Sequence, residues 1–83
     1  MEKFNQTPHL YHLIFAQNMR QLRRIKEFSQ EELAFQAGIS KTYVCEIENG
    51  GRAVSIDLMG QIADALETPL DKLLIEQDLT KMF

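Results

Sequence analysis

The sequence predicts an all-α domain of five helices, and three observations carry that expectation. Residues 29–50 read as two short helices joined by a tight turn, apolar residues recur three and four apart on both sides of that window, and no segment reads convincingly as a strand. At 83 residues the chain has room for one hydrophobic core and little spare stability. A single domain spanning 1–83 is therefore expected, with oligomerisation supplying the rest.

The elements follow in order. Thr7-Pro8 provides an N-cap and a proline at the first helical position, and Phe15, Met19, Leu22 and Ile25 then recur at helical spacing as far as Glu27. Leu10, Tyr11, Leu13 and Ile14 in the early turns are read as core cover or a dimer edge. Ser29, with Glu32 three residues on, forms a capping box that starts the second helix at Gln30. Gly38 ends that helix, because a residue without Cβ takes positive φ freely and lets the chain enter a new helix within about three residues. Ser40 caps the third helix. Leu33, Ala34 and Ala37 mark the inner face of the second helix, and Val44 and Ile47 that of the third; Ala34 is small where the two should approach closely. Ser55 caps a fourth helix, with Asp57 in its first turn and Ile56, Met59, Ile62, Ala63 and Leu66 on its apolar face. Gly60 inside it costs about 1 kcal/mol relative to alanine, which points to close packing there. Thr68-Pro69-Leu70-Asp71 repeats the cap-and-proline start for a fifth helix bearing Leu70, Leu73 and Leu74.

Several function classes find no support. One cysteine makes neither an intramolecular disulfide nor a zinc site, and Cys45 reads as a small filler on the third helix. His9 and His12 are three apart, but no Cys or carboxylate pattern completes a metal site. There is no Gly-rich phosphate loop after a strand and no nucleophile with a plausible base, so no enzyme and no cofactor are expected. Glu31-Glu32 and the Glu46/Glu48 pair are explained by capping, solvation and helix pairing. The absence of a secretory h-region, long apolar run or lipidation motif predicts a cytoplasmic protein without a membrane partner, and no sensing segment for a small-molecule effector is evident.

The window 29–50 resembles the helix-turn-helix of the Cro and phage-repressor family, also called the Xre family. The resemblance rests on Gln30 at the head of the second helix, Ala34, Gly38 four residues on, Val44, Ile47 and the ending Ile47-Glu48-Asn49-Gly50. It extends upstream to Arg20-Gln21-Leu22-Arg23 and downstream to Ile62-Ala63-Asp64-Ala65-Leu66, covering residues 15–75. It implies a phage-repressor-like DNA-binding fold in which the third helix enters the major groove.

A net charge of −3 sits awkwardly with a polyanionic partner. The distribution is more favourable. Residues 1–52 hold seven Lys or Arg against six Asp or Glu, whereas residues 53–83 hold two against six, so the acidity lies downstream of the reading unit.

On the recognition helix, Lys41, Thr42 and Glu46 form the expected base-reading set, with 42 and 46 four apart on one face. Lysine donates to guanine O6 and N7, threonine meets a thymine methyl or hydrogen-bonds, and glutamate accepts from cytosine N4. A solvated surface is the plain alternative for each, most of all for Glu46, which phosphates repel. Gln30 stands where backbone N–H groups already favour an anion, and the resemblance gives it a phosphate contact. The resemblance also places Tyr43, Asn49 and Arg52 at DNA-backbone positions, with Arg20 as a further one, and it pairs Arg23 with Glu48 in a structural salt bridge.

One recognition helix reads too few base pairs, so a homodimer on a palindromic double-stranded DNA operator is expected, with half-sites about 34 Å apart. The apolar run Leu70, Leu73, Leu74 and Ile75 nominates the dimer interface, within a dimerisation region of about 55–83. The chain resembles the small restriction–modification controllers in size. An autoregulatory transcriptional regulator, set by its own monomer–dimer equilibrium, is the resulting expectation. The alternative is an antitoxin or interaction module whose main partner is another protein.

Overall fold

Three of the four helices described over residues 10–76 of the computed structural model begin on a serine. Ser29 Oγ accepts from the Glu32 N–H at 2.9 Å before α2 (Gln30–Ala37), Ser40 Oγ from Tyr43 at 3.0 Å before α3 (Lys41–Glu48), and Ser55 Oγ from Leu58 at 3.1 Å before α4 (Ile56–Ala65). Each satisfies one amide that the helix itself leaves without a partner. The expected capping box is half built, because the Glu32 carboxylate accepts from Gln36 Nε2 at 2.9 Å, one turn further along α2.

All four described helices end alike, in paired backbone bonds around one residue of positive φ. After α1 (Tyr11–Ile25) that residue is Glu27 (φ 63°), after α2 Gly38 (73°), after α3 Gly50 (73°) and after α4 Glu67 (55°). The long closing bonds run from Phe28 N to Arg23 O, Ile39 N to Ala34 O, Gly51 N to Glu46 O and Thr68 N to Ala63 O, all 3.0 Å. At Gly50 conformation and space coincide, since a Cβ there would meet Leu13 Cδ2 at 2.5 Å.

The core sits where the four helices meet. Phe15 and Met19 of α1, Leu33, Ala34 and Ala37 of α2, Val44 and Ile47 of α3, and Met59, Ile62 and Ala63 of α4 are buried together with Leu66 and Leu73. Withdrawing each large aliphatic or aromatic side chain from water contributes about 1.5–3 kcal/mol. Polar bonds tie the elements together as well: Gln61 Nε2 on α4 donates to the Ala37 carbonyl at 2.6 Å, at the end of α2.

The all-α expectation holds for the described residues, which contain no strand; the fifth helix does not. Residues Leu70–Leu74 form one short 3-10 turn, and Ile75 is already extended. Five residues cannot repay α-helix nucleation on their own, and the carbonyls of Leu73 and Ile75 accept instead from Asn18 Nδ2 on α1, at 2.9 Å each. This turn also separates the four residues expected at an interface. Leu73 is 2 % exposed and belongs to the chain's own core, while Leu70 and Leu74 are half-buried against that core and Ile75 is 51 % exposed.

Two further expectations change. Within the described residues the first helix begins at Tyr11, preceded by Leu10 at φ 56° outside helical geometry, and it ends at Ile25 rather than Glu27. Thr7, Pro8 and His9 lie outside the described residues, as does the 77–83 part of the expected dimerisation region. Gly60 does not mark close packing, since a Cβ there would have no atom within 4 Å.

Candidate nucleic-acid interface

The turn Gly38-Ile39-Ser40 sets α3 against α2 so that its two sides face different surroundings. Val44 and Ile47 enter the core with the Glu48 side chain beside them, and Lys41, Thr42 and Glu46 are exposed. The three expected reading residues come together around one shallow concavity of about 220 Å³, whose fourth lining residue is Cys45. Cys45 was expected as a filler, yet its thiol lies on the outward face and accepts from Asn49 Nδ2 at 3.7 Å. The signal was available in the spacing: position 45 is three after Thr42 and four after Lys41.

The inner side of α3 is braced by charge as well as by packing. The Glu48 side chain is fully buried and accepts from Arg23 twice, Nε to Oε2 at 2.7 Å and Nη2 to Oε1 at 3.1 Å. Arg23 Nη1 also donates to the Phe28 carbonyl at 2.7 Å, so one guanidinium joins α1, the α1–α2 turn and α3. The pair has the two-point geometry in which arginine and carboxylate bond most strongly.

The expected backbone-contacting residues divide into three groups. Gln30 Nε2 donates to Glu48 Oε1 at 3.1 Å, placing this amide at the junction of α2 with α3. Arg20 Nη2 donates to the Glu48 carbonyl at 3.2 Å and to Asn49 Oδ1 at 3.5 Å, with Nε 3.7 Å from Glu48 Oε1. A guanidinium there complements the negative end of the α3 dipole. Arg52, in the loop after α3, lies with Cζ 4.4 Å above the Tyr43 ring and donates from Nη1 to Glu46 Oε1 at 2.8 Å.

Spacing gave no hint of Asn18, Gln61 or the bond between Gln30 and Glu48, which link uncharged amides to distant partners. His12 lies on α1, and His9, three residues before it in sequence, is outside the described residues. Among the described residues no group of three His, Cys, Asp or Glu could hold a metal ion, and no helix is long and apolar enough to cross a membrane.

Comparison with known proteins matches residues 19–73 to the family described as Helix-turn-helix. The control protein C.BamHI of Bacillus amyloliquefaciens is 46 % identical over 55 residues, which is 65 % of this chain and 68 % of that protein. The restriction–modification controller protein C.AhdI of Aeromonas hydrophila superposes with a TM-score of 0.71 at 39 % identity, over 75 % of this chain and 94 % of that one. SinR, a master regulator for biofilm formation solved in complex with DNA, superposes with a TM-score of 0.69 at 31 % identity, over 74 % and 98 % of the two chains. With two short capped helices set at a glycine turn and the family match spanning two-thirds of its length, the chain belongs to the helix-turn-helix family.

Proposed function

We propose that the chain is a sequence-specific duplex-DNA-binding regulator of transcription that acts in the cytoplasm as a homodimer on a palindromic operator and controls its own synthesis. The observation that carries this reading is the division of α3, which holds Val44, Ile47 and Glu48 inside while presenting Lys41, Thr42 and Glu46 around one concavity. Similarity to control proteins and to a regulator solved with DNA supports the same reading. Lys41 and Thr42 would then meet base edges in the major groove, with Gln30, Tyr43, Asn49, Arg52 and Arg20 about the helix ends directed to the phosphates.

The proposed interface lies along α4 and the 3-10 turn, with Leu70, Leu74 and Ile75 at its centre and Leu73 supporting it from within the protomer. Enrichment of binding sites from a pool of random duplexes tests the function. The expected product is an inverted repeat with half-site centres about 34 Å apart, bound less tightly as salt rises because counterions are released. Failure to enrich any sequence, with weak binding insensitive to salt, would transfer the fold to a protein-binding role.

A further inference from the structure

We infer that Arg52 determines base specificity through Glu46, by holding and neutralising that carboxylate so that its second oxygen accepts a hydrogen bond from cytosine N4. The inference rests on the DNA-binding reading above and assigns a role within the same site.

A carboxylate facing the major groove lies between two rows of phosphates and is repelled by both, so an unaccompanied Glu46 would oppose binding. Glu46 is accompanied. The Gly50-Gly51 turn closes on the Glu46 carbonyl through the Gly51 N–H at 3.0 Å, which folds the loop back along α3 and returns Arg52 to the level of residue 46. Nη1 of Arg52 then meets Oε1 of Glu46 at 2.8 Å, and the Tyr43 ring lies 4.4 Å under the guanidinium carbon. The ring face attracts the cation and limits where it can go.

Both partners are about half exposed, 47 % for Arg52 and 49 % for Glu46, and an ion pair so placed adds little to folding stability. Its effect is on direction and charge. With Oε1 engaged, Oε2 remains for the groove, and an ionised carboxylate accepts hydrogen bonds without donating any. It therefore favours the amino group of cytosine, opposes guanine O6 and thymine O4, both acceptors, and is served less well by adenine, whose amino group has the N7 acceptor beside it. The remaining N–H groups of Arg52 stay available for a phosphate, so the same side chain can bridge backbone and base-reading carboxylate.

The test uses the full chain and a duplex pool randomised over about 24 base pairs, enough for two half-sites one turn apart. Wild type, Arg52→Ala, Glu46→Ala and the double variant are compared by the base frequencies they enrich, with thermal melting to show that each is folded. Wild type should enrich cytosine at one symmetric position in each half-site. Both single variants should flatten that preference by about tenfold, and Arg52→Ala should change it no further once Glu46 is alanine. A simple phosphate anchor would not do this: its loss weakens all sequences alike and leaves base frequencies unchanged. That result with Arg52→Ala would overturn the inference while leaving the DNA-binding reading intact, as would a Glu46→Ala profile identical to wild type. Wild type that enriches no sequence would overturn both.

Discussion

Asn18 and Leu73 are joined by a buried hydrogen bond of 2.9 Å from the carboxamide of the first helix to the carbonyl of the last turn. The same amide nitrogen reaches the Ile75 carbonyl at 2.9 Å, so one side chain holds both the end of the 3-10 turn and the residue where the chain leaves it. Asn18→Ala leaves the buried Leu73 carbonyl without this donor and should cost about 1–3 kcal/mol in urea denaturation. Asn18→Asp should cost more, because an acceptor-only carboxylate then faces two carbonyl oxygens. Melting of the alanine variant within experimental error of wild type would show that the turn is held by Leu73 packing alone.

Arg23 and Glu48 support a second prediction, because their charges are withdrawn from solvent together. Arg23→Ala leaves the buried Glu48 carboxylate with weaker partners, and a loss of about 3–5 kcal/mol is expected. A double replacement, Arg23→Met with Glu48→Leu, should recover much of that loss, since packed apolar groups avoid the desolvation cost of the pair. Equal destabilisation by the single and double variants would assign the cost to helix packing instead of the uncompensated charge.

Much of this architecture was legible because its signals are local. Ser29, Gly38 and Ser40 act within a turn of themselves, so the boundaries of α2 and α3 follow from the residue types alone. Thr68-Pro69 sends the same kind of signal, but the outcome there depends on Asn18, fifty-five residues from Leu73 in sequence. Leu73 was ambiguous for a related reason: an apolar run fits a core as well as an interface. In the site, the periodicity of α3 separated the exposed from the buried residues, while reading Cys45 by its type alone hid its place on the outward face. The partner of Gln30 was not legible, since an amide carries no charge that would nominate Glu48.

Two backbone positions yield stabilising substitutions. Gly60 is helical and has open space around it, so Gly60→Ala should raise stability by about 1 kcal/mol. Glu67 takes φ 55° at a helix end, where its carboxylate also opposes the helix dipole. Glu67→Gly should relieve both and stabilise by about 0.5–1 kcal/mol in thermal melting. A drop in melting temperature for Gly60→Ala would mean that a partner covers this face of α4.

The proposed interface predicts opposite outcomes for adjacent leucines. Leu73→Asp buries a carboxylate in the protomer core and should unfold the chain. Leu74→Asp places one at the half-buried edge and should give a folded monomer by sedimentation, with operator affinity reduced far more than nonspecific affinity. A Leu74→Asp dimer that binds DNA like wild type would move the interface elsewhere.

Base reading is tested at Lys41 and Thr42. Alanine at either position should weaken binding to the selected operator by about 1–3 kcal/mol and change which base is preferred at one position of each half-site. Weaker binding with an unchanged preference would move that residue to the phosphate backbone.

The two-sidedness of α3 makes sequence preference separable from foldedness. None of Lys41, Thr42, Cys45 and Glu46 belongs to the core, so these four positions can drift without the penalty that burial places on Val44, Ile47 or Glu48. In the proposed symmetric dimer each such change would be presented to DNA twice, so one substitution would alter both half-sites and roughly double its energetic effect on the old operator. New specificities should therefore emerge in abrupt steps on an unchanged scaffold, each isolating a regulator from the operators of its nearest kin.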